Sequence, residues 1–402
     1  MKEKTHPANK TERHKMHDEM RFLSLYKIMH SIREGMGTKN EIKSATGLSW
    51  GSCSEIISML EQKKIIITEK ENPKRKGKQG RTASRYGFNH RKNLLIGMQL
   101  SSTEINCSLV SFGLEEISSQ SYPLPETFTS TDFFQHLSSV FYHFISDCSV
   151  KPSNVLGLVI ALMGGIDAKH LKWIFPVRIS GLGEVDFTPL KSLLPSLRYL
   201  WLEHDINAQA SSIVKRHKVD KGANYVFLHV GEGMGASVYD GKIYSGKRGF
   251  AGEVGHIPYP FLKESHRCHC GKINCVETVL SLHGIMGYIN RLYHVNYKNF
   301  DEVPVEIWHD ERIQTYFLDA MVYVMVILTN LLDPGIIIAG GEVLQPFGSL
   351  FPVIEKKVRE QSWMHGPPSF LWYHKQELNC PYGAVLNVAD DLLERYIRDF
   401  LL

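Results

Sequence analysis

Three of the seven cysteines in this 402-residue chain lie within eight residues of one another, a short loop after a histidine. Cys268, Cys270 and Cys275 have the spacing C-x-C-x4-C, and His256 precedes them. Soft thiolates together with one imidazole form a four-ligand set that suits a tetrahedral zinc ion. The alternative is a group of thiols without a metal, but so tight a cluster in a chain of cytosolic character favours a metal site.

Two acidic residues, Glu253 and Glu277, bracket this cluster. Their carboxylates could face a ligand held in place by the metal loop. Two roles are therefore open for the metal at this point: it takes part in a reaction, or it only shapes a binding site.

The length and composition of the chain predict a protein of two or three domains with the balance of a soluble globular protein. The first residues are polar and basic, which predicts that there is no signal peptide. We find no apolar stretch long enough to span a bilayer and therefore expect no membrane insertion. The other cysteines (Cys53, Cys107, Cys148, Cys380) are scattered, as expected of reduced thiols in a cytoplasmic protein.

The net charge of +4 conceals an uneven distribution. Residues 1–92 contain 21 Lys and Arg against 10 Asp and Glu, which leaves 25 against 32 in the remainder. A basic N-terminal segment on an acidic body predicts that the first part of the chain contacts a polyanion. A solvated charged face is the alternative, and the size of the asymmetry weighs against it.

Residues 21–90 have the pattern of a winged helix-turn-helix DNA-binding domain, after a flexible tail over residues 1–20. The helical spacing of Leu25, Ile28, Met29 and Ile32 predicts a first helix, and Thr38-x-x-Glu41 predicts a capping box that opens a second, with Ile42 and Ala45 inward. Ser49 can cap a third helix with Ile56, Ile57 and Leu60 on its buried side. Its first turns would expose Ser49, Trp50, Ser52 and Ser54 to DNA base edges.

A two-stranded wing is predicted after the third helix. Residues 65–68 form a β-rich run, and residues 85–88 form its aromatic return. The basic tip between them can contact phosphates and the minor groove through Arg75, Lys76, Lys78 and Arg81. The alternative is a three-helix interaction module with a mobile basic linker.

Residues 91–402 have the pattern of two α/β lobes. Strands are predicted over 94–100, 104–112 and 118–122, a helix over 131–146 and a buried strand over 155–163, which is compatible with an actin-like lobe. A second cycle has strands over 224–230, 236–239 and 335–339, with helices over 275–290, 312–332 and from about 383 onward.

Several short motifs in the body could form part of a ligand-binding site, although each also has a plain structural explanation. Gly165 follows a buried strand, where α/β folds place ligand loops, but a simple turn would suffice. Asp205 could accept a hydrogen bond from a hydroxyl, or it could be a helix N-cap. Residues 231–235 form a glycine-rich turn that could approach an anion, or an ordinary hairpin. Gly340-Gly341 could admit a ligand or a neighbouring helix.

Taken together, these motifs resemble the ROK family of bacterial sugar kinases and sugar-responsive repressors. The resemblance rests on Glu203-x-Asp205, the glycine turn, Gly252-Glu253-x-Gly255-His256, the Cys268-x-Cys270-Gly motif and Asn330-x-x-Asp333-Pro334, with Gly340-Gly341. With its N-terminal winged helix-turn-helix pattern, the chain resembles the branch of xylose- and N-acetylglucosamine-type repressors in particular. This resemblance implies an α/β fold: a winged helix-turn-helix followed by a two-lobed actin-like, ribonuclease H-like sugar kinase fold.

The resemblance also implies roles for individual residues. His256, Cys268, Cys270 and Cys275 would bind structural zinc in a loop over 256–275, and the sugar site would comprise Gly165, His204, Asp205, Glu253, His256 and Glu277. Asp205 matches the general base of the family's kinases. Two departures concern Asn274, which replaces a glycine and should tolerate a positive φ, and His204, which replaces an asparagine of the kinases.

The first phosphate loop is the decisive departure from the kinases. The family's Asp-x-Gly-Gly-Thr corresponds here to Gln99-Leu100-Ser101-Ser102-Thr103, which lacks the acid and both glycines. Cβ atoms at Ser101 and Ser102 would crowd a phosphate. We therefore expect a regulator without enzymatic activity and with Asp205 as a vestige.

The expected partners are operator DNA, a monosaccharide or sugar-phosphate effector, and further copies of the chain in a dimer or a tetramer. One alternative is an ATP-dependent hexose kinase that carries a DNA-binding arm. Another is a zinc hydrolase with Glu277 as its base, which would lack one of the four metal ligands.

Overall fold

The computed structural model describes residues 10–69, 84–125, 130–176, 181–220, 222–363, 366 and 368–402. The chain divides into two compact units. Unit 1 comprises Met1–Leu162, Ala168–Glu203 and Ala384–Leu402, and unit 2 comprises Met163–Asp167 and His204–Gly383. Each unit has its own α/β core, so the expectation of a mixed α/β fold is confirmed.

The helices, in chain order, are α1 (Lys10–Arg33), α2 (Lys39–Thr46), α3 (Trp50–Gln62), α4 (Ser130–Asp147), α5 (Leu190–Leu193), α6 (Asp205–Arg216), α7 (Glu277–Leu280), α8 (Leu282–Tyr293), α9 (Val305–Trp308), α10 (Glu311–Leu332), α11 (Phe351–Gln361), α12 (Cys380–Asn387) and α13 (Ala389–Phe400). The strands, in the same order, are β1 (Ile66–Glu69), β2 (Arg85–Phe88), β3 (Leu94–Leu100), β4 (Glu104–Val110), β5 (Glu116–Pro123), β6 (Val155–Leu162), β7 (Gly164–Asp167), β8 (Lys172–Pro176), β9 (Val185–Asp186), β10 (Tyr199–His204), β11 (Tyr225–Val230), β12 (Met234–Tyr239), β13 (Ile336–Gly340) and β14 (Ser369–Tyr373).

Helix α1 buries the predicted apolar face, since Leu25, Ile28 and Met29 are fully buried. The helix begins at Lys10, however, so the flexible tail predicted over 1–20 is wrong for residues 10–20. That stretch lacks an apolar face, which is the feature that predicts a helix packed on a core. Its Lys, Glu, Arg and Met residues have high helix propensity and extend the helix without one.

Helices α2 and α3 begin at the predicted caps. Thr38 and Glu41 form the reciprocal hydrogen bonds of a capping box, and the Ser49 side chain accepts a hydrogen bond from the Ser52 N–H. Gly47 ends α2 with a φ of +69°, in the left-handed region that glycine adopts at helix ends. Ala45 is exposed, contrary to prediction, because Thr46 lies one helical turn after Ile42 on the buried face.

Strands β1 and β2 pair antiparallel, with Ile66 opposite Phe88 and Glu69 opposite Arg85. The two predicted strands after α3 therefore form one small sheet. Arg75, Lys76, Lys78 and Arg81 lie outside the described residues, so the basic tip between the strands stays a prediction.

The main sheet of unit 1 has the strand order β10-β6-β3-β4-β5. Strand β3 is antiparallel to β4 and parallel to β6, and helix α4 lies between β5 and β6 in the chain. The predicted β-β-β-α-β opening is therefore present. All eight residues of β6 are buried, as its continuous apolar run predicts for a central strand.

The sheet of unit 2 has the order β12-β11-β13-β14, with β13 parallel to both β11 and β14. Strand β14 was not predicted. The helical stretch expected over 275–290 consists of two helices, since Ser281 ends α7 and caps α8 by accepting a hydrogen bond from the Gly284 N–H at 3.1 Å.

Helix α10 is long and apolar enough to cross a bilayer by length and composition, with a mean hydropathy of 1.6 over its most apolar window. The prediction that no such stretch exists is therefore wrong. The helix lies in the core of unit 2, where Phe317, Met321 and Met325 are fully buried. Packing against the sheet accounts for its apolar composition.

Candidate metal centre and effector site

The metal-ligand candidates lie on two neighbouring loop segments of unit 2. His256 ends a short 3-10 turn, Val254–His256, and the three cysteines lie on the loop that follows. Backbone bridges pair Pro258 with Cys275 and Arg267 with Ile273, which closes this loop on itself. The loop is therefore ordered by its own main-chain hydrogen bonds.

The structure brings His256, Cys268, Cys270 and Cys275 together, with all four ligand atoms within 4.8 Å of one another. Cys268 Sγ lies 3.6 Å from His256 Nδ1, and Cys270 Sγ lies 3.7 Å from Cys275 Sγ. Burial raises the pKa of Cys275 to about 12, so a cation would be needed to stabilise its thiolate. Donors of this kind at these separations fit a metal ion at their centre.

Asn274 has a φ of +54°, as its replacement of a glycine predicts. Its side-chain oxygen accepts a hydrogen bond from the His266 N–H at 2.8 Å, and its own N–H donates to the His266 carbonyl at 2.8 Å. Asparagine therefore keeps the left-handed turn and adds a side-chain bond that glycine could not make.

Glu253 lies next to the metal-ligand group. Its Oε2 is 3.7 Å from Nε2 of His256, while Nδ1 of the same ring faces Cys268. This is the usual arrangement of a metal-binding histidine, in which the second ring nitrogen faces a carboxylate that fixes the tautomer. Glu253 is therefore placed to orient His256.

His204 and Asp205 lie where β10 ends and α6 begins. His204 Nδ1 is 3.2 Å from Asp205 Oδ1, and its Nε2 is 4.0 Å from Glu253 Oε1. The Ile206 N–H donates to Asp205 Oδ1 at 2.8 Å, which is shorter than its 3.3 Å distance to His204 Nδ1. Asp205 therefore supports the start of α6 while most of its side chain is shielded from solvent, at 13% exposed.

Glu277 is the first residue of α7, and its Oε2 accepts a hydrogen bond from the Met234 N–H at 3.2 Å. A Cβ at Gly255 would lie 3.3 Å from the same oxygen, so Glu277 lies against the segment that contains Glu253. Gly165 is buried in β7, and its part in a ligand site stays a prediction.

Four side chains thus form one continuous polar group in unit 2: His256, Glu253, His204 and Asp205. His256 contacts Glu253, Glu253 faces His204, and His204 contacts Asp205. The metal-ligand group and the predicted sugar-binding residues are parts of the same constellation. Chemically, its carboxylates and imidazoles can accept and donate hydrogen bonds to hydroxyl groups.

Gly252, the first residue of the Gly252-Glu253-x-Gly255-His256 motif, positions Glu253. Its φ is +93°, and an added Cβ would overlap the carbonyl oxygen of Ala236 on β12. We expect Gly252→Ala to lower the free energy of unfolding by roughly 3 kcal/mol or more, because the backbone conformation and the contact are both lost. Gly348→Ala is the control, since a Cβ at Gly348 meets nothing within 4 Å. Equal urea midpoints for the two variants would contradict this packing.

A second polar cluster beside the glycine turn was missed from the sequence. His229 Nδ1 is 2.9 Å from the Tyr373 hydroxyl, and its Nε2 is 3.5 Å from Glu342 Oε2. Lys375 Nζ lies 3.5 Å from Glu342 Oε1. A Cβ at Gly231 would lie 2.5 Å from Glu342 Oε2, so the carboxylate rests directly on the turn. No sequence motif joins these residues, because they come from separate parts of the chain.

The predicted DNA-contacting residues at the start of α3 are partly engaged in helix capping. Ser49 Oγ lies 2.9 Å from Ser52 Oγ in addition to capping the helix. Trp50 is 51% exposed, and Ser54 is half-buried. The first turn of α3 therefore presents one large exposed aromatic side chain among small polar ones.

The sequence profile described as the ROK family matches residues 95–369 of this chain. The chain belongs to the ROK family. The match covers most of the body and includes the metal-ligand group, the glycine turn and Asp205, while the N-terminal helices lie outside it. Family membership thus agrees with the resemblance carried by the motifs.

Known ROK proteins similar to this chain include both regulators and kinases. The DNA-binding transcriptional dual regulator NagC of Escherichia coli (strain K12) is 23% identical over 340 residues, covering 80% of each chain. The crystal structure of a ROK family transcriptional regulator, a homolog of the E. coli MLC protein, matches 94% of this chain and 99% of its own, with 21% identity and a TM-score of 0.74. The ROK hexokinase from Thermus thermophilus matches 73% of this chain and 97% of its own, with 18% identity and a TM-score of 0.59.

Proposed function

We propose that this ROK protein is a cytoplasmic, sugar-responsive DNA-binding regulator, in the first instance a repressor of carbohydrate genes. The observation that carries the proposal is the basic N-terminal segment, which presents the capped first turn of α3 beside a small antiparallel sheet. Such a segment on a ROK body supports a winged helix-turn-helix, the arrangement that many DNA-binding proteins use. Two copies in a dimer would place two α3 helices on a palindromic operator.

DNA recognition would combine α3 with the basic segment between β1 and β2. Ser49, Trp50, Ser52 and Ser54 would face base edges, and Arg75, Lys76, Lys78 and Arg81 would contact phosphates or the minor groove.

Replacement of Arg75, Lys76 and Arg81 by Ala should weaken DNA binding at all sequences. Each lost phosphate contact should lower the slope of log affinity against log salt by about 0.9. Fluorescence anisotropy at several salt concentrations measures this slope. Lys169→Ala, a change at an exposed lysine of the body, is the control. An unchanged slope in the triple variant would exclude this segment from the interface.

The effector site would be the constellation of His204, Asp205, Glu253, His256 and Glu277, with Gly165 at its edge. Carboxylates recognise pairs of sugar hydroxyls, because each hydroxyl can donate a hydrogen bond to an ionised oxygen. A sugar would change DNA affinity only to the extent that it binds one conformation of the protein better than another.

The metal would be zinc in a structural role. Three thiolates and one imidazole complete a tetrahedral set and leave no position for a catalytic water. This arrangement opposes the alternative of a zinc hydrolase with Glu277 as its base. The zinc would fix His256, and through it the Glu253 carboxylate that faces the effector.

Two features oppose the alternative of a hexose kinase. Ser101 replaces a glycine of the first phosphate loop, and its Oγ both donates to the Glu104 carbonyl at 2.9 Å and accepts from the Glu104 N–H at 3.0 Å. In unit 2, the Glu342 carboxylate lies on Gly231, where it would repel an anion approaching the glycine turn. Similarity to ROK kinases and the presence of Asp205 are the observations in favour of a kinase.

A thermal-shift screen with a coupled ATP assay tests the proposed function. We expect one or more of N-acetylglucosamine, glucose, xylose and their phosphates to raise the Tm, because a ligand that binds only the folded state stabilises it. We also expect no ATP-dependent turnover with any of these sugars. Turnover at about 1–100 per second, the ordinary range for kinases, would overturn the regulator assignment.

A further inference from the structure

Helix α13 packs along α1 in the antiparallel direction within unit 1. Near the middle of α1, Glu19 lies 3.7 Å from Arg398, whose guanidinium lies 4.0 Å from the centroid of the Phe22 ring. At the C-terminal end of α1, Arg33 Nη1 donates to the Ala389 carbonyl at 2.8 Å. The first helix of the N-terminal segment is therefore attached to the last helix of the chain near its middle and at its C-terminal end.

Arg33 is held in an unusual way for a charged side chain. Its Nε donates to the Phe112 carbonyl at 3.0 Å, and its guanidinium stacks 4.8 Å from the Phe112 ring centroid. Its Nη2 is buried without a hydrogen-bond partner. Desolvation lowers the pKa of Arg33 to about 10, which the nearby Asp390 carboxylate partly offsets. Because Nη2 has no partner, the burial of Arg33 depends on the two hydrogen bonds that it donates to the Phe112 and Ala389 carbonyls.

The other end of the C-terminal helical segment packs on α6 within unit 2. Cys380 Sγ lies 3.6 Å from the carbonyl oxygen of Asp205, and the Asn379 N–H donates to Ser212 Oγ at 3.3 Å. An added Cβ at Gly383 would overlap the carbonyl oxygen of Ala208. The start of α12 is thus in close contact with the helix that begins at the proposed effector site.

We propose that α12 and α13 transmit a change at Asp205 to α1, and that Arg33 is the positioning residue through which α1 receives it. This inference rests on the proposed function, which assigns Asp205 to the effector site and α1 to the DNA-binding segment. Each contact lies within one compact unit, and the connection between them is the continuous chain from Cys380 to Phe400. Movement of α12 against α6 shifts Ala389, which breaks the hydrogen bond that Arg33 donates to the Ala389 carbonyl and releases α1.

Hydrogen exchange in the full chain tests this link without requiring a ligand. Gly383→Ala forces α12 away from Ala208, and we expect amide exchange in residues 19–33 to become about tenfold faster, while β3 is unchanged. Gly348→Ala is the matched control, because its added Cβ meets nothing within 4 Å. Faster exchange confined to residues 204–216 and 377–387 would overturn the proposal. If Gly383→Ala does not fold, Cys380→Ala takes its place in this experiment. That variant removes the contact between Cys380 Sγ and the Asp205 carbonyl oxygen and adds no atom.

A double-mutant cycle with Arg33→Lys separates transmission from simple stability. Lysine keeps the charge but lacks the planar fork whose Nε and Nη1 donate to the two separate carbonyls of Phe112 and Ala389, so the effect of Gly383→Ala on residues 19–33 should disappear in this background. The same effect in both backgrounds would show that Arg33 does not receive the change.

Exchange measured with N-acetylglucosamine and with xylose distinguishes this link from the proposed function. If neither sugar protects residues 204–210 but Gly383→Ala still loosens α1, the link stands and the effector assignment fails. If a sugar protects 204–210 while Gly383→Ala leaves α1 unchanged, the effector assignment stands and the link fails.

Discussion

Cys275→Ser is expected to abolish metal binding and to lower the free energy of unfolding on the order of 4 kcal/mol, in the range caused by loss of a structural metal. Cys275 is buried and its main chain pairs with that of Pro258, so loss of the metal should also loosen the segment after His256. With His256 no longer fixed, Glu253 loses its orientation, and sugar affinity should fall together with the metal. Elemental analysis, urea unfolding and sugar titration measure the three effects.

Cys148→Ser is the control for this experiment. Cys148 is a half-buried free thiol at the end of α4, outside the metal-ligand group. This variant should keep one zinc per chain and near-native stability. If Cys275→Ser behaves in the same way as Cys148→Ser, or if it loses zinc but keeps full sugar affinity, the metal does not shape the effector site.

Asp205→Asn is expected to give the second large effect, a loss of sugar affinity of roughly 10- to 150-fold. Hydrogen bonds to a charged group contribute about 1.5–3 kcal/mol each, and asparagine has the same shape without the charge. The fold should survive, because the asparagine oxygen can still accept the hydrogen bond that the Ile206 N–H donates to Asp205. Calorimetric titration with the sugar that gives the largest thermal shift measures the affinity.

Asp301→Asn is the matched control, since Asp301 is an exposed acid of unit 2 outside the constellation. It removes the same charge and should leave sugar affinity unchanged. An affinity for Asp205→Asn within about threefold of the native chain would remove Asp205 from the effector site.

The sequence predicted the elements whose patterns are local. The apolar face of α1, the capping box at Thr38 and the cap at Ser49 depend on residues within one or two helical turns, and all three are present. The extension of α1 to Lys10 was missed, because a helix supported by propensity alone has no apolar period. Strand β14 was missed because it is a short edge strand whose residues are mostly only half-buried, so it has neither a continuous buried run nor a clear alternation.

The metal-ligand group was predictable because its four residues lie within twenty positions of one another and three of them within eight, and the structure brings all four together. The constellation around Asp205 was not predictable from spacing, because His204 and Glu253 are 49 positions apart and meet only through the fold. The family resemblance supplied those residues. The cluster of His229, Glu342 and Tyr373 had neither a local pattern nor a motif to mark it.

If the chain is a sugar-responsive regulator, a sugar controls its binding to DNA. Fluorescence anisotropy measures this control on DNA fragments that the full chain itself selects from a random pool, titrated with and without N-acetylglucosamine, glucose or xylose. We expect sequence-specific binding that one of these sugars changes by about tenfold or more, a coupling of about 1.4 kcal/mol. Failure to enrich any sequence, or an affinity that none of the sugars alters, would contradict it.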